Sequence, residues 1–199
     1  MRTILNSVCN RRFGPLPCRT APPTAPPPDT LAALRERLAA APNGVLEAVA
    51  AETGVSLLAV TECLPDGLRA FAPGETAEAA MLDMAEWGTV TVLVHSADLV
   101  LECKGPLPRG QFGRGFYNLA GGSPIGGHIR LDRCRTVGFV RRPFMGSADS
   151  ASVVFFNGDG EAMFKVFVGR DDARQLLPDQ VERFEALKAR LCGAPGQTA

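Results

Sequence analysis

Histidine and tyrosine are scarce in this chain: its 199 residues include two histidines, His95 and His128, and one tyrosine, Tyr117. The six cysteines (Cys9, Cys18, Cys63, Cys103, Cys134, Cys192) are widely spaced and form no CxxC pair. That excludes a zinc knuckle and argues against a disulfide framework; reduced thiols in a cytoplasm are the expectation. Net charge is also missing, with Lys+Arg and Asp+Glu both at 21, so no overall field draws nucleic acid. No apolar run is long enough to cross a bilayer. The opening Met1-Arg2-Thr3-Ile4-Leu5 runs into Asn6, Ser7, Asn10, Arg11 and Arg12, so a secretory signal is not expected. There is no GxxxxGK[ST] loop and no GxSxG elbow. The glycine-rich stretch Gly121–Gly127 links two expected strands and opens no helix, so it lacks the helix N-terminus that binds phosphate.

What is present reads as one globular domain. Hydrophobic residues make up 46% and charged residues 21%, which is enough apolar surface for a core and too little charge for a disordered chain. Residues 1–28 stand apart, because the run Ala21 to Pro28 is too rich in proline for a helix or a central strand; a disordered extension is expected there. The domain then covers 29–192, and 193–199 reads as a disordered tail.

Its first part, 29–88, is expected to be helical. Asp29 is a candidate cap for a helix over Thr30–Ala40, with Leu31, Leu34 and Leu38 on one face. Helices over Val45–Glu52, Leu57–Leu64 and Thr76–Trp87 follow, closed by Gly54, Pro65 and Gly88, with Pro65-Asp66-Gly67 as a loop. From Thr89 the apolar period changes to two, predicting strands over Thr89–His95, Leu99–Lys104, Gly115–Ala120, Gly127–Leu131, Thr136–Arg142, Ser150–Phe156 and Glu161–Val168. Asn157-Gly158-Asp159-Gly160 is a hairpin signal. A last helix over Pro178–Leu191 aligns Val181, Phe184, Leu187 and Leu191. The order predicts an α+β fold: an antiparallel sheet spanning 89–177, flanked by N-terminal helices and a C-terminal helix over 178–191.

A few residues suggest chemistry. His95 ends a strand, and His128 follows Gly126-Gly127, where missing side chains leave room for a flat ligand. Imidazole is a common axial donor to heme iron, and the Tyr117 phenolate is a hard donor suited to ferric heme. Arg130, Arg141 and Arg142 carry guanidinium groups that pair with carboxylates such as heme propionates. Each residue type also has a structural use: a histidine hydrogen-bonded within a sheet, a packed strand tyrosine, arginines solvating an edge. The helices over Val45–Leu64 have a helix-turn-helix rhythm. The second carries no Lys or Arg and one acid, Glu62, which argues against DNA as a partner.

From about Asn43 to Leu191 the chain resembles the HutX/ChuX family of intracellular heme-utilisation proteins. The likeness is carried by Glu86-Trp87-Gly88, Val94-His95-Ser96-Ala97-Asp98, Gly127-His128-Ile129, Arg142-Pro143-Phe144-Met145-Gly146, Ala151 to Asn157, and Ala162 to Asp171. The resemblance implies a curved antiparallel sheet like one half of the larger two-repeat heme-utilisation proteins. It also implies a homodimer, and heme binding with delivery inside the cell, often to a heme-degrading acceptor protein. His95 and His128 match the histidines tied to heme binding. Such members usually carry Gly-Tyr-Phe-Asn-Leu where this chain has Gly115-Phe116-Tyr117-Asn118-Leu119, so the exchange turns the phenol to the other face of a regular strand. The expected reading is a cytoplasmic heme carrier without catalytic residues. His95 or His128 would ligate iron, Tyr117 and Phe116 lie in the binding region, and Arg130 or Arg142 would face propionates. Two rivals remain: a heme-degrading or tetrapyrrole-processing enzyme, and an interaction or regulatory module using the N-terminal helices.

Overall fold

The computed structural model describes residues 26–146 and 148–193. Most of the extension expected over 1–28, residues 194–199 of the tail, Cys9 and Cys18 lie outside them. Three helices come first: α1 (Pro28–Ala40), α2 (Leu46–Thr53) and α3 (Leu57–Glu62). The cap of α1 differs from expectation: Pro27 precedes it and Pro28 occupies the first turn, so Asp29 lies inside the helix with no side-chain cap bond. Proline suits that position because the first-turn amides have no helical partner to lose. Ser56 caps α3 by accepting from the Ala59 amide, and Gly54 ends α2 at φ 67°.

The next segment is a correction. Arg69–Pro73 forms a strand, β1, between the expected loop Pro65-Asp66-Gly67 and the expected helix over Thr76–Trp87. It pairs antiparallel with β7 (Thr136–Phe144) at the sheet edge, so the sheet reaches back into the stretch read as helical. Pro73 is tolerated at its last position, where a missing N–H costs little. Helix α4 covers Ala77–Met84 and ends a turn before Trp87.

The remaining strands are β2 (Thr89–His95), β3 (Val100–Pro106), β4 (Gly110–Gly113), β5 (Phe116–Leu119), β6 (His128–Ile129), β8 (Ala148–Phe156) and β9 (Ala162–Phe167). Helix α5 (Pro178–Cys192) closes the domain. A six-stranded antiparallel sheet has the order β1-β7-β8-β9-β2-β3, and a separate three-stranded sheet the order β4-β5-β6. The architecture is α+β, with helices packed on a large antiparallel sheet.

Each face of the large sheet bears its own core. Val137, Phe139, Val153, Phe155 and Val166 face α4, α5 and the small sheet, meeting Met81, Met84, Phe184, Leu187 and Tyr117. Val140, Val154 and Phe156 point the other way, onto Leu34, Leu38, Leu46, Val49 and Val60 of α1–α3. Burying a side chain of this kind contributes about 1.5–3 kcal/mol, so the N-terminal helices are anchored by packing. Gln180 adds a polar tie: its side-chain oxygen accepts from the Gly169 amide at 2.7 Å, and its amide donates to the Trp87 and Thr89 carbonyls at 2.6 and 3.0 Å. Cys63, Cys103, Cys134 and Cys192 are free thiols, and burial pushes Cys134 up to about 11.

Candidate functional site

The small sheet is built by a tight hairpin. Gly113 pairs with Phe116 across Arg114-Gly115, whose φ values of 53° and 80° give the turn of positive dihedrals that matches strand twist. Strand β6 then pairs Ile129 with Tyr117 and His128 with Asn118. Alternation along β5 sorts the side chains. Tyr117 enters the core with no exposed surface, while Phe116 and Asn118 share the outward face with His128.

Three of the residues expected at the site meet on that outward face. The Phe116 and His128 rings are edge to face with centroids 6.0 Å apart, and the Arg130 guanidinium stands 5.8 Å from the Phe116 ring centre. Arg130 also holds Asp132 through two bonds of 2.9 and 2.7 Å, and that pairing holds the Asp132 carboxyl below its ordinary range. His128 is exposed, and Nδ1 of its ring lies 2.7 Å from the Asn118 side-chain oxygen. Phe112, 52% exposed, lies at the rim against the Tyr117 ring at 5.3 Å.

His95 lies elsewhere. It shares its side of β2 with Thr91 and Leu93, and Leu93 pairs with Lys165 of β9. That is the face carrying α1–α3: Nδ1 of His95 is 3.2 Å from Glu47 of α2, and the same Glu47 oxygen accepts from the Lys165 ammonium. Burial pushes the Glu47 carboxyl up, but Lys165 and, less strongly, His95 outweigh this and leave it below its ordinary value. His95 and His128 therefore occupy different surfaces, on either side of the large sheet.

Two other expected residues serve the interior. Tyr117 sits in the core, its hydroxyl accepting from the Gly110 amide at 3.2 Å, and burial pushes the phenol up. Arg142 is 9% exposed and donates to the Pro42 carbonyl at 2.5 Å and the Pro143 carbonyl at 3.3 Å. It thereby ties the start of the α1–α2 link to β7, and burial lowers its guanidinium from the ordinary value.

Sequence reasoning missed Asn118 and Glu47, the partners of the two histidines. Asn118 lay within the motif Gly115–Leu119, but an asparagine in a strand gives no functional signal of its own. Among the described residues no group of three or more His, Cys, Asp or Glu is placed to hold a bare metal ion, and no helix is long and apolar enough to cross a membrane. On the outward face an imidazole, an aromatic ring and a guanidinium stand together, on β6, β5 and the residue that follows β6.

Comparison with known proteins gives a consistent picture. Residues 70–187 match the family model described as Haem utilisation ChuX/HutX. The chain is 37% identical over 142 residues to the intracellular heme transport protein HutX of Vibrio cholerae serotype O1, covering 71% of this chain and 73% of that one. A solved structure of the heme-binding protein ChuX superposes with a TM-score of 0.73 at 44% identity, covering 79% of this chain and 98% of that chain. ChuS, a heme oxygenase of E. coli, shares the fold at 16% identity and a TM-score of 0.62, covering 77% of this chain and 47% of that chain.

Proposed function

Because the chain belongs to the Haem utilisation ChuX/HutX family, we propose that it binds heme and carries it inside the cell. Heme is cargo here, to be captured and released. The observation that supports this most directly is the outward face of the small sheet, where His128, Phe116 and Arg130 converge. In this reading His128 ligates the iron, Phe116 covers part of the porphyrin, and Arg130 faces a propionate. Burial of the flat apolar macrocycle supplies the driving force. A single axial bond at an exposed surface suits a protein that must hand its cargo on. Relatives named for transport or binding are 37% and 44% identical, whereas the heme oxygenase is 16% identical and shares the fold alone.

The wider reading places the protein in the cytoplasm, as a homodimer passing heme to a heme-degrading acceptor. The dimer is supported by the outer end of the β2–β3 hairpin. Leu99, Val100 and Leu101 are each more than half exposed, and β3 is an edge of the large sheet. A second copy laid on this edge would cover a row of apolar side chains and unpaired backbone groups. The rival reading of α1–α3 as an interaction module is weakened by their own packing, which places Leu34, Leu38 and Val60 in the core.

The test is a hemin titration of the purified protein followed by absorption, run beside His128→Ala, His95→Ala and Tyr117→Phe variants. A saturable, stoichiometric Soret shift that His128→Ala abolishes is expected. Loss with His95→Ala alone would move the site to the helical face. An unsaturating rise identical in all four proteins would defeat the carrier reading.

A further inference from the structure

Asn118 stands between His128 and the β4–β5 hairpin. Its side-chain nitrogen lies 2.9 Å from the Gly113 carbonyl, 3.0 Å from the Phe116 carbonyl and 3.3 Å from the Gln111 carbonyl. Carbonyl oxygens only accept, so the atom among them must be the amide nitrogen; a flipped side chain would set oxygen against oxygen. The Asn118 oxygen is thereby directed at Nδ1 of His128, 2.7 Å away. An amide oxygen cannot donate, so this contact requires the imidazole proton on Nδ1. A neutral ring protonated at Nδ1 carries its lone pair on Nε2. The edge-to-face contact with Phe116 braces the same ring.

We propose that Asn118 is the positioning residue that makes His128 an Nε2 donor to heme iron, an inference resting on the carrier reading above. The tight hairpin turn supplies the carbonyls, the carbonyls orient the amide, and the amide selects the nitrogen that faces the iron. The expectation is of the kind seen when a metal-binding histidine is held through its other nitrogen: losing the holding group weakens binding about 10–100-fold.

The test compares the wild-type chain with Asn118→Ala and Asn118→Asp. Both variants lose the amide donor to the hairpin carbonyls; an aspartate carboxylate must turn away from those oxygens, but it still offers Nδ1 an acceptor, and a charged one. The first readout is long-range 1H–15N NMR of the imidazoles in the heme-free proteins, at a pH where the rings are neutral, with backbone amide spectra reporting the fold. The wild type and Asn118→Asp should show His128 protonated at Nδ1, and Asn118→Ala should shift toward the Nε2–H form. The second readout is hemin titration, in which Asn118→Ala should lose about 10–100-fold in affinity and Asn118→Asp should recover most of it. A wild-type ring protonated at Nε2, or an Asn118→Ala ring unchanged from wild type, overturns the proposal. So does a relaxed tautomer with undiminished hemin uptake, which leaves the carrier reading standing. A wild-type protein with the Nδ1–H ring that takes up no hemin overturns the carrier reading, and the iron half of the proposal with it.

Discussion

The ring of Tyr117 fills the space a side chain at position 110 would need. A methyl group on Gly110 would lie 2.3 Å from Cε1 of Tyr117, and the Gly110 amide donates to the Tyr117 hydroxyl. The relationship joins the small sheet to the main core at the strand that carries Phe116 and pairs with His128.

Gly110→Ala should therefore push β4 away from β5 and strain the packing of the tyrosine. Overfilling a packed site of this kind costs about 1–3 kcal/mol. At about 2–4 °C per kcal/mol for a chain of this size, calorimetry should show a fall in Tm of roughly 2–12 °C. An unchanged Tm would mean that the ring has another place to go.

Arg142 should behave as a strut and not as a heme contact. Arg142→Ala removes the donor to the Pro42 carbonyl across the join between the helices and β7. Losing a hydrogen bond from a charged donor costs about 1.5–3 kcal/mol. Denaturant unfolding should register that loss while hemin affinity stays within about twofold of the wild type. A tenfold loss of hemin affinity in a folded variant would return Arg142 to the binding site.

The Glu47–Lys165 pair should give stability a pH dependence with a definite sign. Burial pushes the Glu47 carboxyl up, but Lys165, a backbone hydrogen bond and His95 together leave it below its ordinary value in the folded chain. Its contribution is present above the unfolded-state value, about 4.3, and is lost as pH falls through the lower folded value. Glu47→Gln should be less stable than the wild type near neutrality, and the gap should narrow below about pH 4. Urea unfolding at several pH values checks this; a gap constant with pH would mean that the carboxylate charge contributes nothing.

The sequence announced some elements more clearly than others. β2 and α5 were plain because one apolar face repeats over several turns or residues, as in Val181, Phe184, Leu187 and Leu191. β1 was hidden because Arg69-Ala70-Phe71-Ala72-Pro73 is short, weakly apolar and hemmed by Gly67 and Gly74; only pairing with β7 makes it a strand. β4 was hidden because Gly110-Gln111-Phe112-Gly113 reads as a loop and its turn uses Arg114 where asparagine would have signalled positive φ. At the site, periodicity and the exchanged aromatics placed Phe116 and Tyr117 on opposite faces, as in the structure. The setting of each histidine was not legible. Asn118 meets His128 across a strand pair, and Glu47 comes to His95 from a helix 48 residues away in the chain.

Strand β8 carries both cores at once: Val153 and Phe155 serve one face, Val154 and Phe156 the other. A slip by one residue would trade valine for valine and phenylalanine for phenylalanine, so greasiness alone cannot tell the right alignment from its neighbour. The information must come from features that do not repeat. Gly138 leaves a notch for the Phe156 ring, where a Cβ would stand 2.8 Å from Cε2. The Asn157 side chain ties the following turn to the Asp159 and Glu161 amides at 2.9 and 3.0 Å. A pairing irregularity between Phe155 and Phe156 breaks the ladder's uniformity. In this chain the apolar residues provide adhesion, and a glycine and an asparagine keep count.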